Sequence, residues 1–408
     1  MLLMDNNYKK KLQKLGVHFG TKDKIEFKPK KDLAQIDLDG ETKTNSYGEF
    51  FYSEQKFHGS YKHGSIALNE ILTPDIRIKL PDLDTVINPA DCVYLDTETT
   101  GLSTSGGTFA FMVGLGYFEN ENFILRQYFL RDPHEEEAVL LDLDNLLSNH
   151  STMITYNGVS FDVPILKSRY RYHRIPSEIN KKNQIDLLKY SRILFRYQFD
   201  DRSLKNIEAN VLDFNRTAEE IPGWMAPIIY QDYLKTKNNL SIMGVFYHNA
   251  MDILSLAALI TIINQISLIQ EDQFLRYETL NYSLACLYEK NKEYFRAIEA
   301  YLRAIEQNNL PRMIKTNCFH SLAELYKKTG QITEAVLYWQ QASELGKLES
   351  LIELAKIYEH QLKDYQIAIN YCKRALLLLE NNVNSIYKEL QTRKIEHRIN
   401  RLTNKVKS

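Results

Sequence analysis

Cys92-Val93-Tyr94-Leu95-Asp96-Thr97-Glu98-Thr99-Thr100-Gly101-Leu102 is the stretch on which the fold turns. Its first four residues are apolar and read as a buried strand. Side chains alternate along a strand, so Asp96 and Glu98 leave it on the same face. Two carboxylates side by side at the edge of an apolar sheet repel each other. A divalent cation between them removes that penalty.

Two later segments supply further acids. Tyr156-Asn157-Gly158-Val159-Ser160-Phe161-Asp162 precedes Val163-Pro164-Ile165-Leu166, and Tyr247-His248-Asn249-Ala250-Met251-Asp252 opens the apolar helical run Ile253–Leu259. Taken singly, each acid has an ordinary reading. Asp162 suits a helix N-cap with Pro164 in the first turn, and Asp252 suits a first-turn acid facing the helix dipole. Asp96 and Glu98 suit a strand end before a turn.

The order and spacing of these three motifs resemble the DEDD superfamily of 3′→5′ exonucleases, which has a ribonuclease-H-like fold. Arg202-Ser203-Leu204-Lys205-Asn206-Ile207-Glu208 and Ile221-Pro222-Gly223-Trp224 are similar to segments of a bacterial subfamily, the YprB-type ribonuclease-H-like domain. The likeness covers roughly residues 90 to 262. It implies that Asp96, Glu98, Asp162 and Asp252 ligate two divalent cations, with Asp96 bridging them. It also implies hydrolysis of phosphodiester bonds at the 3′ end of DNA or RNA. The expected substrate is a single-stranded end.

The acid cluster has its own electrostatic logic. At an effective dielectric of ~20, two carboxylates about 5 Å apart cost about 3 kcal/mol. Four of them together take up cations or protons. Oxygen ligands select Mg²⁺ or Mn²⁺ rather than zinc. A pair of such ions activates a water and stabilises the departing 3′ oxygen.

In the family the general base is a tyrosine four residues before the last Asp, or a histidine five before it. Here the two types are exchanged. His248 stands four before Asp252 and Tyr247 five before. On a helix, positions i and i+4 share a face. His248 is therefore expected over the acids as the base, since imidazole titrates near neutrality. Gly101 and Leu102 resemble family residues that lie against the terminal base. Asn157 and Thr97 either contact the terminal nucleotide or serve turn hydrogen bonds. Asp186 is either a supporting acid or a helix N-cap. Arg169-Tyr170-Arg171-Tyr172-His173-Arg174 mixes cations and aromatics, which suits single strands or a solvated helix face.

Composition sets the frame. The chain has 408 residues, 44% hydrophobic and 25% charged, with a net charge of −1. This is ordinary for a globular protein of two or three domains. It lacks the basic excess of many nucleic-acid proteins. Cys92, Cys286, Cys318 and Cys372 have no close pairs, which argues against a disulfide framework and against zinc. No signal-peptide pattern and no uninterrupted apolar span is read, so a cytoplasmic location away from membranes is expected.

Strands are expected at 92–96, 109–118, 123–130 and 153–156. Helices are expected at 132–149, 163–173, 186–195 and 203–212. Further on, Leu284-Ala285-x-x-Tyr288, Leu322-Ala323-x-x-Tyr326 and Leu354-Ala355-x-x-Tyr358 recur at steps of 38 and 32 residues. Each is followed by two alanines, and the spacing is similar to tetratricopeptide repeats of about 34 residues. The fold expected is an α/β ribonuclease-H-like domain, a mixed sheet flanked by helices, followed by an all-α helical repeat domain. The expected units are 1–88 (a basic arm and a small β element around 48–68), 89–265 (the exonuclease domain), 275–378 (the repeats) and 379–408 (a capping helix and basic tail). Helical arrays present a concave surface, so a protein partner on the repeats is expected as well. The rival expectation is a catalytically weak or inactive nucleic-acid-binding or scaffold protein that works through its repeats.

Overall fold

The structure is a computed structural model that describes residues 38–72, 86–101, 107–216, 221–268, 277–380 and 386–407. A sheet in the order β1-β2-β7-β6-β5-β8-β9 organises the first part. Its strands are β1 (Glu41–Asn45), β2 (Gly48–Phe57), β5 (Cys92–Thr99), β6 (Ala110–Glu119), β7 (Asn122–Phe129), β8 (Thr152–Thr155) and β9 (Asn183–Asp186). A separate pair, β3 (Lys62–His63) and β4 (Ile66–Ala67), stands beside it. β8 runs parallel to β5 and to β9, and the other pairings are antiparallel. β6 is buried along nearly its whole length. It lies at the sheet centre with both faces covered, so its sequence is continuously apolar instead of alternating.

The helices are α1 (Glu136–Ser148), α2 (Asp162–His173), α3 (Leu187–Leu194), α4 (Leu204–Val211), α5 (Ala226–Thr236) and α6 (Asn239–Leu268). One core joins Val93, Leu95, Val113 and Leu115 to α1, α2, α5 and the start of α6. The other joins Tyr94, Phe118 and Phe123 to α3, α4 and the rest of α6. The acidic entry to α1 is a short 3-10 turn, with Asp132 accepting from the His134 amide at 3.0 Å.

The segment 48–68 departs from expectation. Most of it is no separate small element, because β2 is a ten-residue strand paired with β7 and flanked by β1. Its aromatics explain this. Phe50, Phe51 and Tyr52 are buried, and Tyr52 packs against Tyr128 at 6.2 Å between ring centres. Arg126 closes the pairing by an ion pair to Glu54 at 2.6 Å. A sequence pattern shows alternation but not the partner strand.

α6 is the central helix. Asn239–Ser267 is long and apolar enough to cross a bilayer, yet 83% of its most apolar window is buried in the fold. Two of its hydroxyls are absorbed locally: Thr261 Oγ1 donates to the Ala257 carbonyl at 3.1 Å and Ser267 Oγ to that of Ile263 at 2.8 Å. α6 lies close against the sheet because glycines face it. A Cβ on Gly114 would stand 2.1 Å from Asn249 Oδ1, and one on Gly116 would stand 2.6 Å from Ile253 Cγ2.

The repeats are antiparallel helix pairs: α7 (Leu280–Lys290) with α8 (Tyr294–Ile305), α9 (Arg312–Lys328) with α10 (Ile332–Glu344), and α11 (Leu348–His360) with α12 (Tyr365–Glu380). The alanines expected at the crossings, Ala285, Ala297, Ala304, Ala323, Ala335, Ala342, Ala355, Ala368 and Ala375, are all fully buried. A final helix, α13 (Ile386–Lys407), packs on α12. It is held by Arg401 and Lys405 on the buried Glu359 of α11, at 2.7 and 3.2 Å. The first repeat shares the core of α3, α4 and α6. Tyr277 donates to the Asn210 carbonyl at 3.0 Å across this junction.

Gly114→Ala is therefore expected to destabilise the protein by about 1–3 kcal/mol, the range of an overpacked core. Gly107→Ala, where an added Cβ meets nothing within 4 Å, should shift the urea midpoint little. Equal midpoints for the two variants would contradict the close approach of α6.

Candidate active site

Three elements bring the acids together. β5 carries Asp96 and Glu98 toward its C-terminal end, with an irregularity in register after Glu98. α2 begins at Asp162; Phe161, not Asp162, is its cap residue. α6 carries His248, Asn249 and Asp252 on one face, at spacings of three and four. Asp96 stands opposite Gly114 on β6. That glycine admits Asn249, whose amide donates to Asp96 Oδ2 at 2.8 Å. Gln127 of β7 in turn donates to Asn249 Oδ1 at 2.9 Å and so fixes the amide's orientation.

The acids act on one another. Burial raises the Asp96 pKa well above the usual carboxylate range, and the charges of Asp252, Asp162 and Glu98 raise it further; Asn249 opposes this. Burial likewise raises Glu98, aided by Asp252 and Asp162 and opposed by Arg216. Asp162 is pushed from 3.8 to about 6, mainly by burial, with the Thr97 hydroxyl the chief opposing influence. The four residues named from the sequence thus share one electrostatic site.

A cation is already present there. Arg216 forms an ion pair with Asp252. It also donates from Nε and Nη2 to Glu208 at 2.7 and 2.6 Å, and from Nη1 to His248 Nδ1 at 3.0 Å. Both guanidinium and carboxylate are almost wholly enclosed, with side-chain exposures of 3% and 1%. His248 Nε2 lies 3.8 Å from Glu98 Oε1 and 3.7 Å from Asp252 Oδ2. The turn at Gly223 faces the same atom, since a Cβ there would come within 3.1 Å of Nε2.

The donor set fits hard cations in kind: four mutually repelling carboxylates, Glu98 and Asp162 buried and Asp96 and Asp252 half-buried. Their present orientation is another matter. Among the described residues no three His, Cys, Asp or Glu side chains form a ready-made metal-binding group. The reason is visible in the contacts. Asp96 turns to Asn249, Asp162 accepts from the Thr97 hydroxyl, and Asp252 turns to Arg216. Ligation of a shared ion needs these side chains to rotate toward it.

The remaining expected residues fall as follows. Thr97 gives its hydroxyl to Asp162. Asn157 takes up a left-handed backbone, φ 65°, and its amide donates to Asp186 Oδ1 at 2.8 Å. Asp186 is also the N-cap of α3, accepting from the Leu188 amide at 3.0 Å, which is one of the two readings its sequence position offers. The Gly101 carbonyl accepts from Thr99 Oγ1 at 2.8 Å. Leu102 lies outside the described residues. Tyr247 is half-buried one position before His248. Arg169 is not a strand-binding group: it is buried in a bidentate pair with Glu136, Nε to Oε1 at 2.7 Å, and His173 closes on the same carboxylate at 2.6 Å.

Comparison with known proteins now places this arrangement. Residues 93–264 match the RNase H superfamily, and residues 279–309 and 348–382 match the tetratricopeptide repeat. The chain thus carries an RNase H-superfamily domain followed by tetratricopeptide repeats. It is 29% identical over 329 residues to a protein of Bacillus subtilis (strain 168) described as "Uncharacterized protein YprB", covering 79% of this chain and 76% of the relative.

Arg216, Asn249 and Gly114 were not singled out from the sequence. Asn249 was findable, being three residues before Asp252 on a helix and so on the same face. Glu208 lay in a segment noted for its family likeness, without a role. Arg216 carried no local signal, since its partners come from α4 and α6.

Asp96→Asn should raise the stability of the metal-free protein at neutral pH, by roughly 1–3 kcal/mol, because it replaces a carboxyl group that is costly to hold there, charged or protonated, with a neutral amide. Asp162 titrates near 6 in the fold against 3.8 otherwise. Its protonated form therefore favours folding fully below about 3.8, and that benefit disappears as pH rises through about 6. The gain from Asp96→Asn should accordingly shrink as pH falls through about 6 toward 3.8. Mn²⁺ should raise the melting temperature of the wild type at neutral pH and leave Asp96→Asn nearly unmoved. Thermal scans with and without Mn²⁺ check both.

Proposed function

We propose that the RNase H-superfamily domain is a metal-dependent 3′→5′ exonuclease acting on the single-stranded 3′ end of DNA or RNA. The observation that carries this reading is the mutual repulsion of Asp96, Glu98 and Asp162 with Asp252 in one buried site. Ribonuclease-H-like nucleases use divalent metal ions. Here Asp96, Glu98, Asp162 and Asp252 would hold two, Mg²⁺ or Mn²⁺, which supply an activated water and charge stabilisation at phosphorus. The chain's own residues do the rest. Asn249 and Thr97 orient Asp96 and Asp162, and His248 stands beside Glu98 and Asp252 where a phosphate would lie.

Trp224 is the proposed contact for an unstacked base. Its neighbour Gly223 faces His248, and Trp224 itself is 60% exposed. Aromatic faces stack on bases irrespective of sequence. The repeats are read as a protein-binding surface, on which Phe295, Met313 and Leu377 are exposed apolar side chains. A cytoplasmic location completes the proposal.

A second reading draws on one observation. Arg216 already neutralises part of the acid cluster by its pair with Asp252, which suits a catalytically weak or inactive nucleic-acid-binding or scaffold protein.

End-labelled single- and double-stranded DNA and RNA, digested with Mg²⁺ or Mn²⁺, separate the two. Wild type should shorten single strands from the 3′ end. Asp252→Ala should lose more than the roughly 10–100-fold typical of a residue outside the ligand shell. Equal, metal-independent behaviour of the two proteins would favour the scaffold. Trp339 is fully buried and Trp224 is the other tryptophan of two, so a single strand should quench the fluorescence of Trp224. Quenching that persists unchanged in Trp224→Leu would exclude the stacking contact.

A further inference from the structure

A guanidinium has donors and no acceptor. Arg216 places this one-way group between Glu208 and His248. Both oxygens of Glu208 receive it, at 2.6 and 2.7 Å, and Ser255 Oγ, donating to Oε1 at 2.5 Å, is the third donor to the carboxylate. The single hydroxyl hydrogen of Ser255 is then engaged, so His63 Nε2, 2.7 Å away, donates to Ser255. His63 packs on Phe214 with ring centres 4.0 Å apart, next to the loop that brings Arg216 in. The direction of every hydrogen bond in this buried chain is thereby fixed, from His63 through Ser255 to Glu208, and from Arg216 outward.

The last link reaches the acid site. Arg216 Nη1 is 3.0 Å from His248 Nδ1. Arginine can only donate, so Nδ1 accepts. A neutral imidazole has one N–H, and it then resides on Nε2. Nε2 is the atom within 4 Å of both Glu98 and Asp252.

We infer that His248 offers the acid site an N–H and not a lone pair, and that Arg216, carried by Glu208, is the positioning residue that sets this tautomer. The inference rests on the reading of the acids as a phosphodiester site, where an N–H at this place hydrogen-bonds an anionic phosphate oxygen. It revises the expectation that His248 takes the proton of the attacking water, because Nε2 already holds one. A bidentate fork is what allows Arg216 to satisfy Glu208 and still reach the imidazole. A lysine ammonium, a single point of charge, serves one of these partners at a time.

Long-range proton–nitrogen correlation spectra of the full chain, with ¹⁵N-labelled histidine at about pH 8, read the tautomer directly. The chain has ten histidines, and His248 is identified by its absence from His248→Asn. The wild type is expected to show the Nε2–H pattern. Arg216→Lys, with its fold checked by urea denaturation, is expected to show both tautomers. An Nδ1–H pattern in the wild type overturns the inference, whether or not Arg216→Lys folds. So does an unchanged Nε2–H pattern in folded Arg216→Lys. Nuclease assays on the same wild-type sample keep the two readings apart. Nε2–H without hydrolysis upholds the tautomer and removes the nuclease. Hydrolysis with Nδ1–H upholds the nuclease and returns His248 to the role of base.

Discussion

Four carboxylates enclosed within one site cannot all remain charged without compensation, and much of the surrounding structure answers that constraint. Desolvation and mutual repulsion raise the pKa of Asp96, Glu98 and Asp162. Amide and hydroxyl donors from Asn249 and Thr97 relieve two of them. A guanidinium relieves Asp252. Arg216 is itself a buried charge, and burying it is favourable only because Glu208 takes two of its donors. The pair behaves as a fixed dipole whose positive end faces Asp252. Its net effect is local, because Glu208 cancels the arginine at a distance.

Backbone geometry serves the same constraint on this face of the sheet. Asp252 reaches Asp96 only if α6 lies close to β5 and β6, and that proximity depends on Gly114 and Gly116. Side chains at those positions would lift the helix by the width of a methyl group. The acids would then separate, Asn249 would lose Asp96, and the arginine would be left between partners it no longer reaches. Packing in the sheet and charge in the site are therefore one requirement seen at two scales.

Much of this was legible in the chain. Period-two alternation placed Asp96 and Glu98 on one face, helical spacing placed His248 over Asp252, and small-residue recurrence exposed the repeats. Each signal is local, with a period of two, three to four, or about thirty-four residues. What escaped was non-local. Phe50, Phe51 and Tyr52 suggested a strand but could not show that Tyr128 would be its neighbour. Arg216 lies beyond the end of α4, and its meaning comes from Glu208, eight residues earlier, and from His248 and Asp252, more than thirty later. Arg169 misled for the same reason: its run of cations and aromatics suggests a binding face, while Glu136 on another helix claims it.

The helix that carries the last acid also joins the two halves of the molecule. Ile253, Leu254, Ile260 and Ile263 of α6 belong to the same core as Leu284, Tyr288 and Tyr301 of the first repeat. That core extends from Tyr94 on β5 to Leu325 on α9. Thr279 Oγ1 donates to Gln198 Oε1 at 3.0 Å, and Tyr197 packs on Tyr282 with ring centres 4.8 Å apart, both across the same junction. A helix as apolar as α6 needs cover along its whole length, and the sheet supplies it for only part. The first repeat covers the remainder, so it acts as a structural layer of the acid-bearing domain. The later repeats have cores of their own around Trp339 and Leu351, so their packing does not draw on α6.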